Sequence, residues 1–207
     1  AFRLESLGYP DAALIEPIAV AVHAVGRAGG VAGKSVLLVG AGAVGQTILS
    51  AARTMGAARI AVTDPDSFAR RFSLEHGADA AADPVEPGAE ARLLALVRSG
   101  FDVAFETSGV PSGLSLAIRA CARGATIVQI GTLPADAAIP VNLIMSREIA
   151  LVGSFRFGSI FDTVVDMIAA SVVTVSVNSA CAIEGFLQRR PAILFGPSDF
   201  HHFATTV

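Results

Sequence analysis

Residues 35–53 read SVLLVGAGAVGQTILSAAR, in which three glycines separate a short apolar run from a segment with helical periodicity. Gly40, Gly42 and Gly45 match the pattern G-x-G-x-x-G, which is typical of the turn between a strand and a helix in dinucleotide-binding α/β domains. The first glycine permits the tight bend, the second lets the backbone approach a pyrophosphate, and the third lets the helix pack on the strand. The stretch therefore predicts a Rossmann-type turn.

A carboxylate stands at the position where such a domain holds the ribose. Asp64 ends the next predicted strand, 19 residues after Gly45. Its oxygens would accept hydrogen bonds from ribose hydroxyls and would repel a 2′-phosphate, so we expect NAD rather than NADP. Ala43 and Val44 open the predicted helix, and their N–H groups would face the phosphates. Two alternatives stay open, a tight strand–helix turn without a nucleotide and a helix cap at Asp64.

Two arginines follow the acidic residue on the second predicted helix. An arginine near the ribose can accept a 2′-phosphate, so Arg70 and Arg71 slightly weaken the preference for NAD. We interpret both as solvated residues on the surface of that helix.

Apolar runs alternate with helical patterns along most of the chain. Strands that are apolar on both faces and alternate with helices indicate a parallel sheet covered on both sides. Right-handed crossovers then give a doubly wound α/β fold of the Rossmann type. We predict strands over 35–40, 59–64, 78–82, 101–106, 125–131 and 149–154, and helices over 11–27, 43–55, 67–76, 90–98, 111–123 and 157–170.

Composition limits the classes of partner. The 207 residues are enough for one α/β domain with a proper core. The formal charge of −3 gives no basic face for nucleic acid, and no stretch has the composition of a membrane helix. Because the mean hydropathy of +0.62 is high, we expect a covered surface or a missing part. Cys121 and Cys181 form no disulfide framework and the first residues lack a secretion pattern, so we expect the cytoplasm.

Four stretches have sequences that are more specific than a strand–helix alternation requires. They are AALIEPIAVAVHAV (12–25), GKSVLLVGAGAVGQ (33–46), FDVAFETSG (101–109) and REIALVGSFRF (147–157). Together they resemble the zinc-dependent medium-chain alcohol and polyol dehydrogenase family, and most of all its L-idonate 5-dehydrogenase and sorbitol dehydrogenase branch. The resemblance covers about residues 1–184. It implies NAD-dependent hydride transfer from a secondary alcohol of a polyol or a sugar acid.

The resemblance implies a set of residues around the cofactor and the substrate. Ser108 and Gly131–Thr132 would lie where the chain passes the cofactor, at the carboxyl ends of the strands. Val20 would pack near the nicotinamide, and Phe155 and Arg156 would lie beside the nicotinamide and the substrate. The guanidinium of Arg156 would hold a carboxylate or adjacent hydroxyls. The alternative for Arg156 is a surface ion pair.

The resemblance also implies a catalytic zinc ion, which Glu16 would face in an intact enzyme. In the family a cysteine and a His-Glu pair of an N-terminal domain supply the other ligands. We place Cys121 in a helix core, and we interpret His23 and His76 as packed and helix-end residues that do not replace those ligands. We therefore expect a fragment without the complete catalytic domain, which binds NAD but no zinc and has little or no turnover. The alternative is a non-catalytic NAD-binding module that acts as a sensor or subunit.

The predicted organisation has four parts. Residues 1–30 form an entering segment and crossover helix, 31–157 the NAD-binding domain, and 158–184 a helix and an edge strand. Residues 185–207 have no clear period, and we interpret them as the product of a shifted reading frame, with a differently folded extension as the alternative. Because the family pairs subunits through the last strand of this domain, the β-prone residues 172–179 predict a homodimer or tetramer.

Overall fold

The computed structural model describes residues 15–157, 160, 164, 174–176 and 192–194. The chain divides into two compact units. One unit is Ala21–Arg156, and the other consists of Ala1–Val20 and Phe157–Val207. Among the described residues, no helix is both long enough and apolar enough to cross a membrane.

A six-stranded parallel sheet forms the centre of the unit Ala21–Arg156. Its strands are β1 (Ser35–Val39), β2 (Arg59–Thr63), β3 (Ala80–Ala82), β4 (Phe101–Glu106), β5 (Cys121–Gln129) and β6 (Ala150–Gly153). The strand order is β3-β2-β1-β4-β5-β6, and every neighbouring pair is parallel. The chain therefore builds one half of the sheet outward from β1 and then returns to build the other half from β4. This reversal creates the crevice in which doubly wound folds bind ligands.

Helices connect the strands, and local sequence explains several of their boundaries. Asp66 precedes the third helix and accepts a hydrogen bond from Phe68 N, so its side chain caps that helix. Pro111 begins the fifth helix, where its missing N–H and fixed φ are tolerated. The helices are α1 (Ile15–Arg27), α2 (Ala43–Thr54), α3 (Ser67–Glu75), α4 (Ala89–Leu94), α5 (Pro111–Ala120) and α6 (Val141–Ser146).

Burial on the central strands shows that both faces of the sheet are covered. In β1 the four consecutive residues from Val36 to Val39 are at most 2% exposed, although alternate side chains point to opposite faces. Phe101 and Phe105 of β4 are fully buried as well. This pattern is that of a parallel sheet between two layers of helices, so the predicted doubly wound α/β fold is confirmed.

The prediction for residues 111–123 is wrong at its carboxyl end, because Cys121 begins β5 and does not continue the helix. The Arg147 guanidinium donates hydrogen bonds to the carbonyl oxygens of Ile118 and Arg119, at 3.0 and 2.7 Å. The last carbonyls of a helix have no partner within it, so these bonds from Arg147 allow the helix to end here. Cys121 is buried, as expected, but in a strand; burial raises the pKa of its thiol to about 12.

Other predictions differ from the structure in extent. The helix predicted over 90–98 corresponds to α4, which is shorter and ends at Leu94, and α6 was not predicted. The helix predicted over 157–170 lies, except for three residues, outside the described part, as does nearly all of the tail 185–207. In the second unit, β7 (Thr174–Ser176) pairs in parallel with β8 (Ala192–Leu194) in a separate two-stranded sheet. Within the described residues, Thr174–Ser176 therefore belongs to a different sheet from β6, and β6 is the described edge of the six-stranded sheet on this side. The rest of the edge strand predicted over 172–179 lies outside the described residues.

Candidate functional site

The glycine turn after β1 is tight on one side and open on the other. Gly40 has a φ of +94°, and a Cβ on Gly45 would lie 2.2 Å from the carbonyl oxygen of Gly40. These two positions therefore exclude side chains for steric reasons. A Cβ on Gly42, by contrast, would meet nothing within 4 Å. Gly42 is also the N-cap of α2 and has no side-chain cap, so the first N–H groups of that helix adjoin open space.

The carboxylate of Asp64 is fixed beside this turn. Its Oδ2 accepts a hydrogen bond of 2.7 Å from Ala41 N, and its Oδ1 accepts one of 2.8 Å from Asp66 N. A carboxylate offers about four acceptor positions, so each oxygen keeps capacity for a further donor. The alternative of a helix cap at Asp64 does not hold, because Asp66 caps α3.

Arg70 corrects an expectation from the sequence. Its Nη1 donates hydrogen bonds to the carbonyl oxygens of Asp64 and Pro65, at 2.7 and 2.9 Å, and approaches Asp83 Oδ2 at 3.3 Å. Only 19% of its side chain is exposed, so it is not a freely solvated residue. Because its acceptors lie in the loop after β2, the guanidinium stabilises the segment that orients Asp64. Arg71 is exposed, as expected.

The loop after β4 contacts the loops on either side of it. Thr107 Oγ1 donates to the carbonyl oxygens of Val39 and Gly40, with its oxygen 3.0 and 2.8 Å from them. The loop approaches the chain after β5 so closely that a Cβ on Gly131 would lie 2.3 Å from Gly109 N. The carboxyl ends of β1, β4 and β5 therefore form one connected edge of the sheet.

A cavity of about 500 Å³ opens at this edge. Its wall includes the ends of β1 and β2, the loop after β3 and one face of α5. Among the residues that line it are Gly40, Thr63, Asp64, Val85, Ser108 and Gly113. The space has the size of a small-molecule site and lies at the carboxyl ends of parallel strands, where open α/β sheets bind ligands.

Phe155 and Arg156 lie at the carboxyl end of β6 and are both exposed. The Arg156 guanidinium lies 5.3 Å from the centroid of the Phe155 ring, within the range of a cation–π contact. Arg156 has a φ of +55°, which is uncommon for a residue with a side chain. In the described part of the chain it forms no ion pair, so nothing there favours the surface ion pair considered for it.

Glu16 and Val20 lie on α1. Glu16 is an exposed residue of the first helical turn, and Val20 is half-buried. Both belong to the unit that contains Ala1–Val20, whereas the remaining candidate residues belong to the other unit.

The described residues do not fit a zinc site. Across them, no group of three or more His, Cys, Asp and Glu side chains is arranged to hold a metal ion. Cys121 is buried, and its raised pKa opposes the thiolate form that a zinc ligand requires. No step of a reaction is therefore assigned to zinc on these residues.

The glycine turn, the acidic residue after β2 and the sheet order together define a Rossmann-type α/β protein. Residues 43–170 match the family profile described as zinc-binding dehydrogenase, so the chain belongs to that family. The resemblance stated from the sequence is thereby confirmed.

Several relatives are polyol or sugar-acid dehydrogenases by name. The chain is 37% identical over 161 residues to L-idonate 5-dehydrogenase (NAD(P)(+)) of Escherichia coli, covering 78% of this chain and 46% of the relative. It is 33% identical over 172 residues to sorbitol dehydrogenase of Bacillus subtilis, covering 82% and 48%. The chain thus spans about half the length of the curated relatives it matches.

Solved structures show the same partial match. The crystal structure of Escherichia coli L-idonate 5-dehydrogenase superposes with a TM-score of 0.76 at 34% identity, covering 84% of this chain and 51% of that one. The 2R,3R-butanediol dehydrogenase of Bacillus subtilis superposes with a TM-score of 0.76 at 29% identity, covering 85% and 53%.

The sequence pattern did not identify two residues that shape this edge, Thr107 and Glu106, and it misinterpreted a third, Arg70. Thr107 and Glu106 bond to other loops across the sheet, and Arg70 bonds to backbone carbonyls. The stretch FETSG contained the only available signal, a buried-strand carboxylate followed directly by small polar residues.

Proposed function

We propose that this chain is the cofactor-binding part of an NAD-dependent oxidoreductase that acts on a secondary alcohol of a polyol or a sugar acid. The names of its relatives support this substrate class. The observation that carries the proposal is the fixed carboxylate of Asp64 beside the open face of Gly42. Bound NAD would supply the hydride acceptor.

Each half of the cofactor would have its own protein groups. The open side of Gly42 and the N–H groups of Ala43 and Val44 would take the pyrophosphate at the start of α2. The free acceptor positions of Asp64 would take the ribose hydroxyls. Ser108, Gly131 and Thr132 lie in the loops after β4 and β5, where the second nucleotide would follow.

Arg156 would bind the substrate. Its left-handed backbone conformation persists only where surrounding structure enforces it, and such strain clusters at functional sites. The contact with the Phe155 ring holds the guanidinium at the carboxyl end of β6, with its donors free within the described part of the chain. A planar guanidinium suits a carboxylate or a pair of hydroxyls. In an intact enzyme, Glu16 would face the metal ion of the family.

The preference for NAD is tested by titrating the chain with NADH and NADPH. In Asp64→Asn the charge that repels a 2′-phosphate is removed, so we expect discrimination between the two nucleotides to fall by about tenfold or more. Asp66→Asn is the matched control, because asparagine also caps a helix and the change removes a charge two residues away. Unchanged discrimination in Asp64→Asn would contradict the proposal.

A second candidate function is a non-catalytic NAD-binding module. The lack of a metal-ligating group among the described residues favours it. Zinc content after purification, measured together with NAD reduction in the presence of L-idonate or sorbitol, separates the two. A stoichiometric zinc ion with turnover supports the enzyme, whereas NADH binding without either supports the module.

We also propose that copies of the chain associate through an edge of the sheet. β6 is an edge strand in the described part of the chain, and most of its residues are exposed. An exposed parallel edge presents unpaired N–H and C=O groups that a second copy can bond.

A further inference from the structure

We propose that Glu106 is a positioning residue that sets the distance between the two loops of the nicotinamide half of the site, and that Gln129 is its partner. This inference rests on the proposed binding of NAD. Glu106 ends β4, Gln129 ends β5, and the two residues are neighbours in the sheet register. They therefore lie in the half of the sheet opposite to Asp64, where a doubly wound fold binds the second nucleotide.

The Glu106 side chain is fully buried, and its carboxylate is surrounded by donors from the loop after β4 and from the end of β5. From the loop after β4 it accepts hydrogen bonds from Ser108 N at 2.8 Å, from the Ser108 hydroxyl and from Gly109 N at 3.1 Å. From β5 it accepts a hydrogen bond of 2.6 Å from Gln129 Nε2. A single buried side chain thus joins the loop after β4 to the residue that precedes the loop after β5. Within the described residues all of these donors are uncharged, so the contact is directional and not an ion pair.

Gln129 extends the same contact into the loop after β5. Its Nε2 also donates to the carbonyl oxygen of Gly131 at 2.7 Å. The backbone carbonyl of Glu106 accepts hydrogen bonds from Ile130 N and Gly131 N, both at 2.9 Å. Side chain and backbone of Glu106 therefore fix the start of this loop from two directions.

Two glycines allow the chain to approach the carboxylate closely. A Cβ on Gly131 would lie 2.7 Å from Glu106 Oε2, and a Cβ on Gly113 would lie 3.3 Å from Glu106 Oε1. Because buried groups with several short partners have little freedom to move, the spacing between the two loops follows from the position of this carboxylate. Ser108 and Gly131, which the proposed function assigns to the cofactor, are the residues that it holds.

The variant Glu106→Gln keeps the size of the side chain but turns one acceptor into a donor. Its amide oxygen would keep the Oε1 position, which accepts from Ser108 N, the Ser108 hydroxyl and Gly109 N. Its new NH2 group would then take the Oε2 position and face the NH2 group of Gln129. Rotation of the Gln129 amide would pair its Oε1 with the new donor, but the carbonyl oxygen of Gly131 would then lose its hydrogen bond. Either arrangement changes the loop after β5 and leaves Asp64 untouched.

The experiment compares NADH with ADP, which contains the adenosine and pyrophosphate but no nicotinamide half. For Glu106→Gln we expect the dissociation constant of NADH to rise by about tenfold or more, as the loss of a hydrogen bond to a charged group predicts, and that of ADP to stay unchanged. Gln129→Met, which removes the same contact from the other side, should give the same selective loss. If Glu106→Gln does not fold, Gln129→Met alone decides the test.

Asp102→Asn is the matched control. Asp102 lies near the amino end of the same strand, at the opposite edge of the sheet from the crevice, and accepts hydrogen bonds from Ser35 N and Ser35 Oγ at 2.8 and 2.7 Å. Equal losses of NADH and ADP affinity in Glu106→Gln or in Gln129→Met, or unchanged NADH affinity in either folded variant, would overturn the inference. A wild-type chain that binds neither nucleotide would overturn the proposed function itself, and that result is distinct from the others.

Discussion

Two glycines of one turn, Gly42 and Gly45, differ in what a side chain would meet. A Cβ on Gly45 would lie 2.2 Å from the carbonyl oxygen of Gly40, whereas a Cβ on Gly42 would point into open space. Gly42 also has an ordinary φ of −68°, so alanine is tolerated there by the backbone. Alanine at Gly45 therefore tests the effect on folding, whereas alanine at Gly42 tests the effect on nucleotide binding.

We expect Gly45→Ala to destabilise the chain by about 1–3 kcal/mol, because the methyl group overpacks a rigid backbone contact. Gly42→Ala should leave the free energy of unfolding nearly unchanged and should weaken NADH binding, because its methyl group occupies the side that the pyrophosphate would approach. Urea unfolding and NADH titration of both variants measure the two effects. Normal NADH affinity in folded Gly42→Ala would contradict the placement of the pyrophosphate.

The lowered pKa of the Asp79 carboxyl predicts that the stability of the chain depends on pH. Desolvation raises the pKa of its carboxyl, but the hydrogen bond from Ile60 N and the hydrogen bond and charge of Arg53 outweigh it, and the net pKa is lowered. A lowered pKa in the folded state contributes stability above the unfolded value, and this contribution is lost as the pH falls through the folded value. The stability gap between wild type and Asp79→Asn should therefore shrink as the pH falls below about 4.

Urea unfolding of both proteins at pH 7 and at pH 3 measures this gap. Asp136→Asn is the control, because Asp136 is exposed and forms no ion pair within the described residues. A gap of constant size for Asp79→Asn would show that the hydrogen bonds of Asp79 do not depend on its charge.

At the scale of elements, the hydrogen bonds of Arg147 explain why α5 ends where it does. Its guanidinium donates to the carbonyl oxygens of Ile118 and Arg119 and to that of Cys121. We expect Arg147→Gln to lower the free energy of unfolding by about 1.5–3 kcal/mol, because the carbonyls of two buried residues, Ile118 and Cys121, lose a charged donor. Arg123→Gln, at an exposed arginine of β5, should change the free energy of unfolding little. Equal effects of the two variants in urea unfolding would exclude a specific role for Arg147.

The elements that the sequence predicted well are those whose signals are local. The strand at 101–106 has the predicted bounds, and α2 ends within one residue of its prediction, because a run of apolar residues or a glycine turn suffices to define each. The end of α5 was missed because it depends on Arg147, which lies 26 residues beyond Cys121. The helix α6 was missed because it is short and none of its residues is buried.

Some residues of the candidate site could likewise be predicted from local sequence, and others could not. The glycine turn and Asp64 follow from spacing, because a strand, a turn and a helix fix their relative positions within one supersecondary unit. Glu106 and Gln129 do not, because their contact requires β4 and β5 to pair in one particular register. Arg70 was misinterpreted because its acceptors are mainly backbone carbonyls, and every residue has a carbonyl, so the sequence does not indicate such a contact.

At the scale of the whole molecule, the chain combines an apolar composition with an exposed edge strand, β6. Hydrophobic residues make up 53% of the chain, and Leu151 of β6 is a large apolar residue with 38% exposure. Met145 and Phe155, which flank β6 in the sequence, are 68% and 82% exposed. Within the described residues no strand pairs with the outer edge of β6, although Arg27 Nε donates to the carbonyl oxygen of Gly153 at 2.9 Å. Exposed apolar groups next to such an edge favour association with a second copy.

We therefore expect the chain to be dimeric or larger at micromolar concentration, and Leu151→Lys to shift it towards the monomer, because a charge on an edge strand opposes pairing. Light scattering coupled to size exclusion measures the mass of each species. Leu74→Lys is the matched control, because Leu74 lies on α3 and is 47% exposed, so it adds the same charge to a helix instead of the β6 edge. Dissociation by Leu151→Lys alone places the interface at β6. A monomeric wild type, or equal dissociation by both variants, would exclude that interface.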